Sequence, residues 1–368
     1  MSGEFILLGT RKGLIILKQS KGKWAFHSLS HQGAAVSYAA VDARHGNLWA
    51  CLDHGHWGVK LHRSHDGGAT WEELTAPKYP ENAEFGKWIP PDQRTVLPAT
   101  LKYLWVFAEG GVDQGERIYF GTEPGGLFFS DDNGATIQLN EGLWNHPSRI
   151  EKWTGGGRDN PGIHSVVVDP NNSQHVYAAI SCAGVFETTD GGKTWNPRNQ
   201  GVRADYLPDP NVEVGHDTHL LVLCRKNPKV LWQQNHCGIF RSTDGGQKWD
   251  DISEPEGPAR FGFSIAADPE DENTAWVVPA SADVVRIACK GALCVCRTGD
   301  GGKTWTALRR GLPQKDCYDI SLRHALDFQS NALVFGTTTG NVYFSPDRGE
   351  SWECLGNNYP PIYSVRFA

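Results

Sequence analysis

Apolar and polar residues alternate in short runs along most of the chain, the period-two signature of strands with a buried face. VSYAAVDARHGNLWACLDHGHWGVKLHRS reads as strand, turn, strand, loop, strand. HSVVVDPNNSQHVYAAISCAGVFET, HLLVLCRKNPKVLWQQNHCGIFRS and SLRHALDFQSNALVFGTTTGNVYFS repeat that order. Each unit runs into an octet of the pattern Ser/Thr-x-Asp-x-Gly-x-x-Trp. The octets are SHDGGATW (64–71), TTDGGKTW (188–195), STDGGQKW (242–249), TGDGGKTW (298–305) and SPDRGESW (345–352). SDDNGATI (130–137) is a sixth copy, with Ile137 in place of the tryptophan. Successive octet aspartates lie 47 to 66 residues apart, a spacing that means stacked supersecondary units.

The octet supplies a tight turn between the last two strands of a unit. Asp and Ser/Thr side chains can bond the turn's own amides, glycine takes the positive φ, and the indole can fill the space between neighbouring sheets. Six copies of one site do not suit one catalytic centre, so the octet reads as a structural staple. On these residues the chain resembles the Asp-box, or bacterial neuraminidase repeat, β-propellers. The resemblance implies an all-β propeller whose Asp-box turns face away from the ligand side.

The N-terminus lacks one strand of the pattern. FILLGT, GLIIL and KWAFHSL give strands B, C and D, with Gln19 where the octet aspartate would stand. The missing strand A appears at the other end, as IYSVRFA (362–368). Six octet blades plus one composite blade, residues 1–30 with 360–368, give a seven-bladed ring over residues 1–368 as one domain.

Composition narrows the partners. The formal net charge of −7 argues against a nucleic-acid or anionic-membrane surface. MSGEFILLGTRKGLIIL has no secretion-signal pattern, and no apolar run approaches the ~20 residues of a membrane helix. Nine scattered cysteines, an odd number, read as free thiols, so a cytoplasmic location is expected.

In a propeller the D–A and B–C loops share one face, and here the D–A loops 75–96, 138–163 and 196–218 are long and unlike one another. Blade six adds a B–C insertion around 280–293. Aligning the A strands gives one channel-mouth residue per blade: Ser37, His164, His219, Phe263, Asp319 and Tyr363, with blade three unassigned. Aligning the B–C loops gives Arg11, His56, Pro124, Cys182, His236 and Thr338. Blades four and five thus place His164, Cys182, His219 and His236 side by side. Glu213, His216 and Asp217 lead into His219, and Arg158 leads into His164. Two chemistries fit. His164, His219 and His236 could hold one Zn, Cu or Fe ion. Alternatively these histidines, with Glu213, Asp217 or Asp319, could act as general acid and base. Arg11 suits an anionic group, Arg158, His56 and Tyr363 are further candidates for binding substrate, and Trp57, Trp88 and Trp153 could stack on a sugar ring.

GIHSVVVDP, EVGHDTH, QNHCGIFRST and PPIYSVR resemble a bacterial single-propeller family described as sialidase-like or glycosyl hydrolase-like. Sialidases themselves carry a Phe-Arg-Ile-Pro motif that this chain lacks, so sialidase activity is not expected. Two functions follow as expectations. One is an enzyme acting by hydrolysis or elimination on a small polar or sugar-like molecule at the channel mouth. The other is a non-catalytic scaffold binding a protein or carbohydrate, as resemblance to seven-bladed Asp-box propellers of photosystem assembly implies.

Overall fold

A computed structural model describes residues 4–89, 93–156, 158 and 160–368. The period-two runs form seven four-stranded antiparallel sheets, with strands A to D running outward from a central channel. Blade one joins Ile362–Phe367 as strand A to Phe5–Thr10, Gly13–Ser20 and Lys23–Ser30. The C-terminal strand closes the ring through pairs such as Ile6 with Phe367 and Leu8 with Val365. Blades two to seven begin their A strands at Ala35, Tyr103, Ile163, Thr218, Gly262 and Leu326. A hairpin, Glu84–Ile89 with Gln93–Pro98, occupies the loop between blades two and three. Among the described residues no helix is long and apolar enough to cross a membrane.

The octets are staples. In the second full copy Thr188 Oγ1 donates to Asp190 at 2.8 Å, and Asp190 accepts from the Thr194 amide at 3.0 Å and the Thr194 hydroxyl at 2.6 Å. Thr188 Oγ1 accepts from the Gly192 amide at 2.9 Å. The indoles tie neighbouring blades: Trp249 Nε1 donates to Arg198 O at 2.8 Å, and Trp305 Nε1 donates to Ile252 O at 2.8 Å. The last glycine of the turn has no room for a side chain. At Gly302 (φ +91°) a Cβ would lie 2.6 Å from Ile252 Cδ1 of the preceding blade. Blade one differs from the expected degenerate turn: Gln19 is still in strand C, paired with Trp24, and Lys21-Gly22 makes a two-residue hairpin at positive φ.

Candidate functional site

The strand pairing shows how side chains reach the channel mouth. In six blades one strand-A residue is skipped by the A–B register, and such a bulge re-aims the extra side chain. The skipped residues are Ser37, Trp105, His164, His219, Phe263 and Tyr363. Trp105 therefore fills the position in blade three that sequence alignment could not assign. Blade seven departs. Its A strand starts late, at Leu326, and a turn closed by the Ala325 amide on Leu322 O pushes residues 322–324 into the mouth. His324, not Asp319, stands level with His164, since Leu326 and Val166 hold equivalent places opposite Phe335 and Ala178. Asp319 is instead a loop clamp: it accepts from Asn341 Nδ2 at 2.8 Å and from the Thr339 hydroxyl.

One cluster forms at this mouth. Asp217, His219 and His236 are the one group of three among the described residues whose candidate ligand atoms all come within 4.8 Å of one another. Asp217 Oδ2 lies 3.5 Å from His219 Nε2 and 3.6 Å from His236 Nδ1. Its backbone carbonyl accepts from the His236 amide at 2.9 Å, which fixes the strand-A entry against the B–C loop of the same blade. His219 Nδ1 donates to Gly262 O at 2.6 Å, so a neutral ring turns a bare Nε2 toward the carboxylate. Burial lowers the His219 pKa from its ordinary value of 6.5, although Asp217 pulls the other way. Asp217 is held well below the carboxylate range: burial opposes this, but His219, Arg323 and His236 outweigh it. Asp217 Oδ1 is buried without a hydrogen-bond partner. A loop of blade four roofs the cluster, because a Cβ at Gly156 would lie 2.6 Å from Cys182 Sγ and 3.3 Å from Asp217 Oδ2.

Cationic and aromatic groups line the mouth beside this cluster. Arg323, pushed in by the blade-seven turn, lies with its guanidinium carbon 5.2 Å from the Trp105 ring centre and 5.7 Å from that of Phe263. Arg158 lies over the same Trp105 at 4.9 Å, and Arg286 over the same Phe263 at 5.3 Å. Arg158 pairs with Glu123 at 2.6 Å and Arg286 with Asp283 at 2.7 Å. Arg323 has no ion pair among the described residues, and its buried Nε has no partner. Below the mouth, His164 and His324 stand at the inner end of a channel cavity of about 800 Å³.

Several expected site residues lie elsewhere. His164 is buried with Nδ1 3.2 Å from Ser165 Oγ, and its ring centre is 6.2 Å from that of Trp105; it is not in the three-residue cluster. Its pKa is well below 6.5, chiefly through burial, so it is a neutral channel residue. Glu213 is exposed and contributes its carbonyl to Asn199; Asp217 supplies the carboxylate. Arg11 is exposed on the blade-one B–C loop. His56 and Trp57 pack on each other at 4.7 Å, and Trp57, 67% exposed, lines a separate cleft with His31, His54 and His62. Trp153 is buried in the core, and the side chain of Trp88 lies outside the described residues. Tyr363 holds its expected ring position, and Arg158 its place at the mouth. Trp105, Arg286, Arg323 and His324 were not found by the alignment; the local signal was the Arg-His pair breaking the strand pattern in SLRHALDF.

Solved structures show the same fold. An ancestral GH74 enzyme matches at TM-score 0.59 and 16% identity over 90% of this chain, which spans 38% of that enzyme. A GH74 enzyme from Niastella koreensis matches at TM-score 0.54 and 16% identity, covering 99% of this chain and 68% of the other. YCF48 bound to D1 peptide matches at TM-score 0.52 and 14% identity, covering 91% and 87%. At these identities the likeness is one of fold. No family model matches the chain, and no curated protein matches it.

Proposed function

We propose that the channel mouth is an active site acting on a small polar or sugar-like molecule, with a divalent transition metal held by Asp217, His219 and His236. One observation carries the reading. A carboxylate oxygen, the bare nitrogen of a carbonyl-anchored imidazole and a second imidazole nitrogen converge on one point. The bare Nε2 of His219 faces a carboxylate oxygen at 3.5 Å in a buried setting, and two such lone pairs repel unless a cation or proton lies between them. One carboxylate and two imidazoles form the kind of three-ligand donor set found in hydrolytic metal centres. Such an ion would lower the pKa of a bound water and polarise a substrate oxygen, serving hydrolysis or elimination alike. Asp217 also orients both rings, so its loss should cost more than one ligand.

Elemental analysis of the full chain after dialysis tests this. About one equivalent of Zn, Cu, Fe or a similar ion is expected, falling to background in His219→Ala and His236→Ala with the thermal transition kept. Metal-free protein that also takes up none of these ions when they are supplied, or unchanged metal in both variants, would refute the reading. The scaffold alternative draws support from Val284 (90% exposed) and Tyr318 (62%) on loops of blades six and seven, and from the peptide bound by YCF48. A peptide surface has no need of a buried, unpartnered carboxylate oxygen, and for that reason the catalytic reading stands first.

A further inference from the structure

We infer that the mouth contains an anion subsite, built by Arg158, Arg286 and Arg323 on the rings of Trp105 and Phe263, which takes a carboxylate or phosphate group of the substrate. The inference rests on the reading of the mouth as a substrate site and adds the substrate's charge. Its geometry is a chain of stacked groups. Trp105 carries Arg158 and Arg323, and Phe263 carries Arg323 and Arg286, with all four guanidinium-to-ring distances between 4.9 and 5.7 Å. The rings come from the bulges of blades three and six, while Arg323 comes from blade seven, so the middle guanidinium bridges across the channel. Aromatic faces hold a guanidinium in place while leaving its edge donors free for a ligand.

Among the described residues the local charges are unbalanced at one place. Glu123 and Asp283 answer Arg158 and Arg286. Asp217 is the carboxylate that acts on Arg323, but its Oδ2 is turned to His219 and His236. A buried Nε–H with no partner costs stability in the free protein, and a bound oxyanion would remove that cost. The shared rings bring the three positive charges together, and burial, with Arg158 and Arg286 adding to it, lowers the Arg323 pKa from its ordinary value against the pull of Asp217. A carboxylate can take two parallel N–H donors from one guanidinium, and a phosphate can bridge two guanidiniums.

Titration calorimetry on the full chain at low ionic strength tests the subsite, using succinate, inorganic phosphate and, as a neutral control, glucose. The same titrations on protein stripped with a chelator and then dialysed separate the arginines from the metal. Saturable binding of succinate or phosphate is expected with and without metal, and none of glucose. Succinate alone would mark a carboxylate subsite, phosphate alone a phosphate subsite. Arg323→Gln should weaken binding at least tenfold. Arg286→Gln, at a half-exposed side chain on a loop, should weaken it severalfold without risk to the fold. No saturable binding of either anion, or equal affinity in both variants, would overturn the inference. Binding that persists in a protein shown to take up no metal would refute the metal reading and leave the anion subsite intact.

Discussion

Deleting residues 362–368 should destroy the ring rather than trim it. The strand Ile362–Phe367 is the inner strand of blade one, and it comes from the far end of the chain. Ile362 and Val365 are fully buried and Phe367 is 7% exposed. At about 1.5–3 kcal/mol per buried apolar side chain, these three contribute roughly 5–9 kcal/mol. That is comparable to the total stability of a typical domain, about 5–15 kcal/mol. Further ties go with them. The Phe367 amide donates to Asp327 at 2.8 Å, and Arg366 donates to His324 O at 2.8 Å and to the Tyr38 hydroxyl at 3.2 Å, so one strand links blades seven, one and two. Its loss also bares the edge of Phe5–Thr10, a template for aggregation. The truncated chain should be insoluble, or lack a cooperative melt by circular dichroism. Val365→Ala gives a graded version, expected to lose about 2–4 kcal/mol in urea unfolding while staying folded. A truncated chain that stays monomeric on size exclusion and melts within a few degrees of the parent would refute the closure argument.

Three smaller perturbations probe the staples and one ion pair. Asp190→Ala removes its bonds to Thr188 and Thr194 and should lower Tm by roughly 2–4 °C in calorimetry, without changing anion or metal binding at the mouth. Gly302→Ala puts a Cβ 2.6 Å from Ile252 Cδ1 at φ +91°, adding left-handed strain to overpacking, and should cost about 2–5 kcal/mol in urea unfolding. A neutral result there would mean that the blades do not stack as described. His175 bonds Glu187 at 2.8 Å and Asp169 at 3.1 Å, and the Glu187 bond leads in raising its pKa above the ordinary 6.5. The folded state therefore binds this proton more tightly than the unfolded chain. The pair's contribution is full below the unfolded value and is lost as pH rises through the folded one. The stability gap between the parent and His175→Gln should shrink as pH rises above the unfolded value of about 6.5; a gap that widens would reverse the assignment.

The ring was legible because its signals are local and repeated. Ser/Thr, Asp, Gly and Trp in one octet each have a turn or packing role that does not depend on distant parts of the chain. The closing strand was legible for a related reason: three strands at the start lacked a fourth, and IYSVRFA was left over at the end. The tryptophans were read less well. The octet residues Trp195, Trp249 and Trp352 are buried and Trp71 and Trp305 keep some exposure, while Trp49, Trp232 and Trp276, outside the octets, are fully buried, as is Trp153, which was expected to face a ligand. Burial on strand B depends on which face meets the next blade, and the octet pattern carries no information about that.

The mouth was legible only as far as the blades are regular. Counting back from "VVVDP" found His219, Phe263, Ser37 and Tyr363 because each occupies the same bulge, and a bulge preserves the count when every blade has it. Blade seven replaces the start of that strand with a turn, and counting along it moved the mouth residue from His324 to Asp319. The same irregularity brings Arg323 to the channel. Regularity gives six blades an equivalent mouth position, and these hold Ser37, Trp105, His164, His219, Phe263 and Tyr363, none of them a carboxylate or a guanidinium. The formal charges come from three departures: the blade-seven turn carrying Arg323, the blade-six insertion carrying Arg286, and the loop before blade five carrying Asp217. In this repeat scaffold the residues worth testing first are those where the register fails, because there the chain adds the charged groups that its regular mouth positions lack.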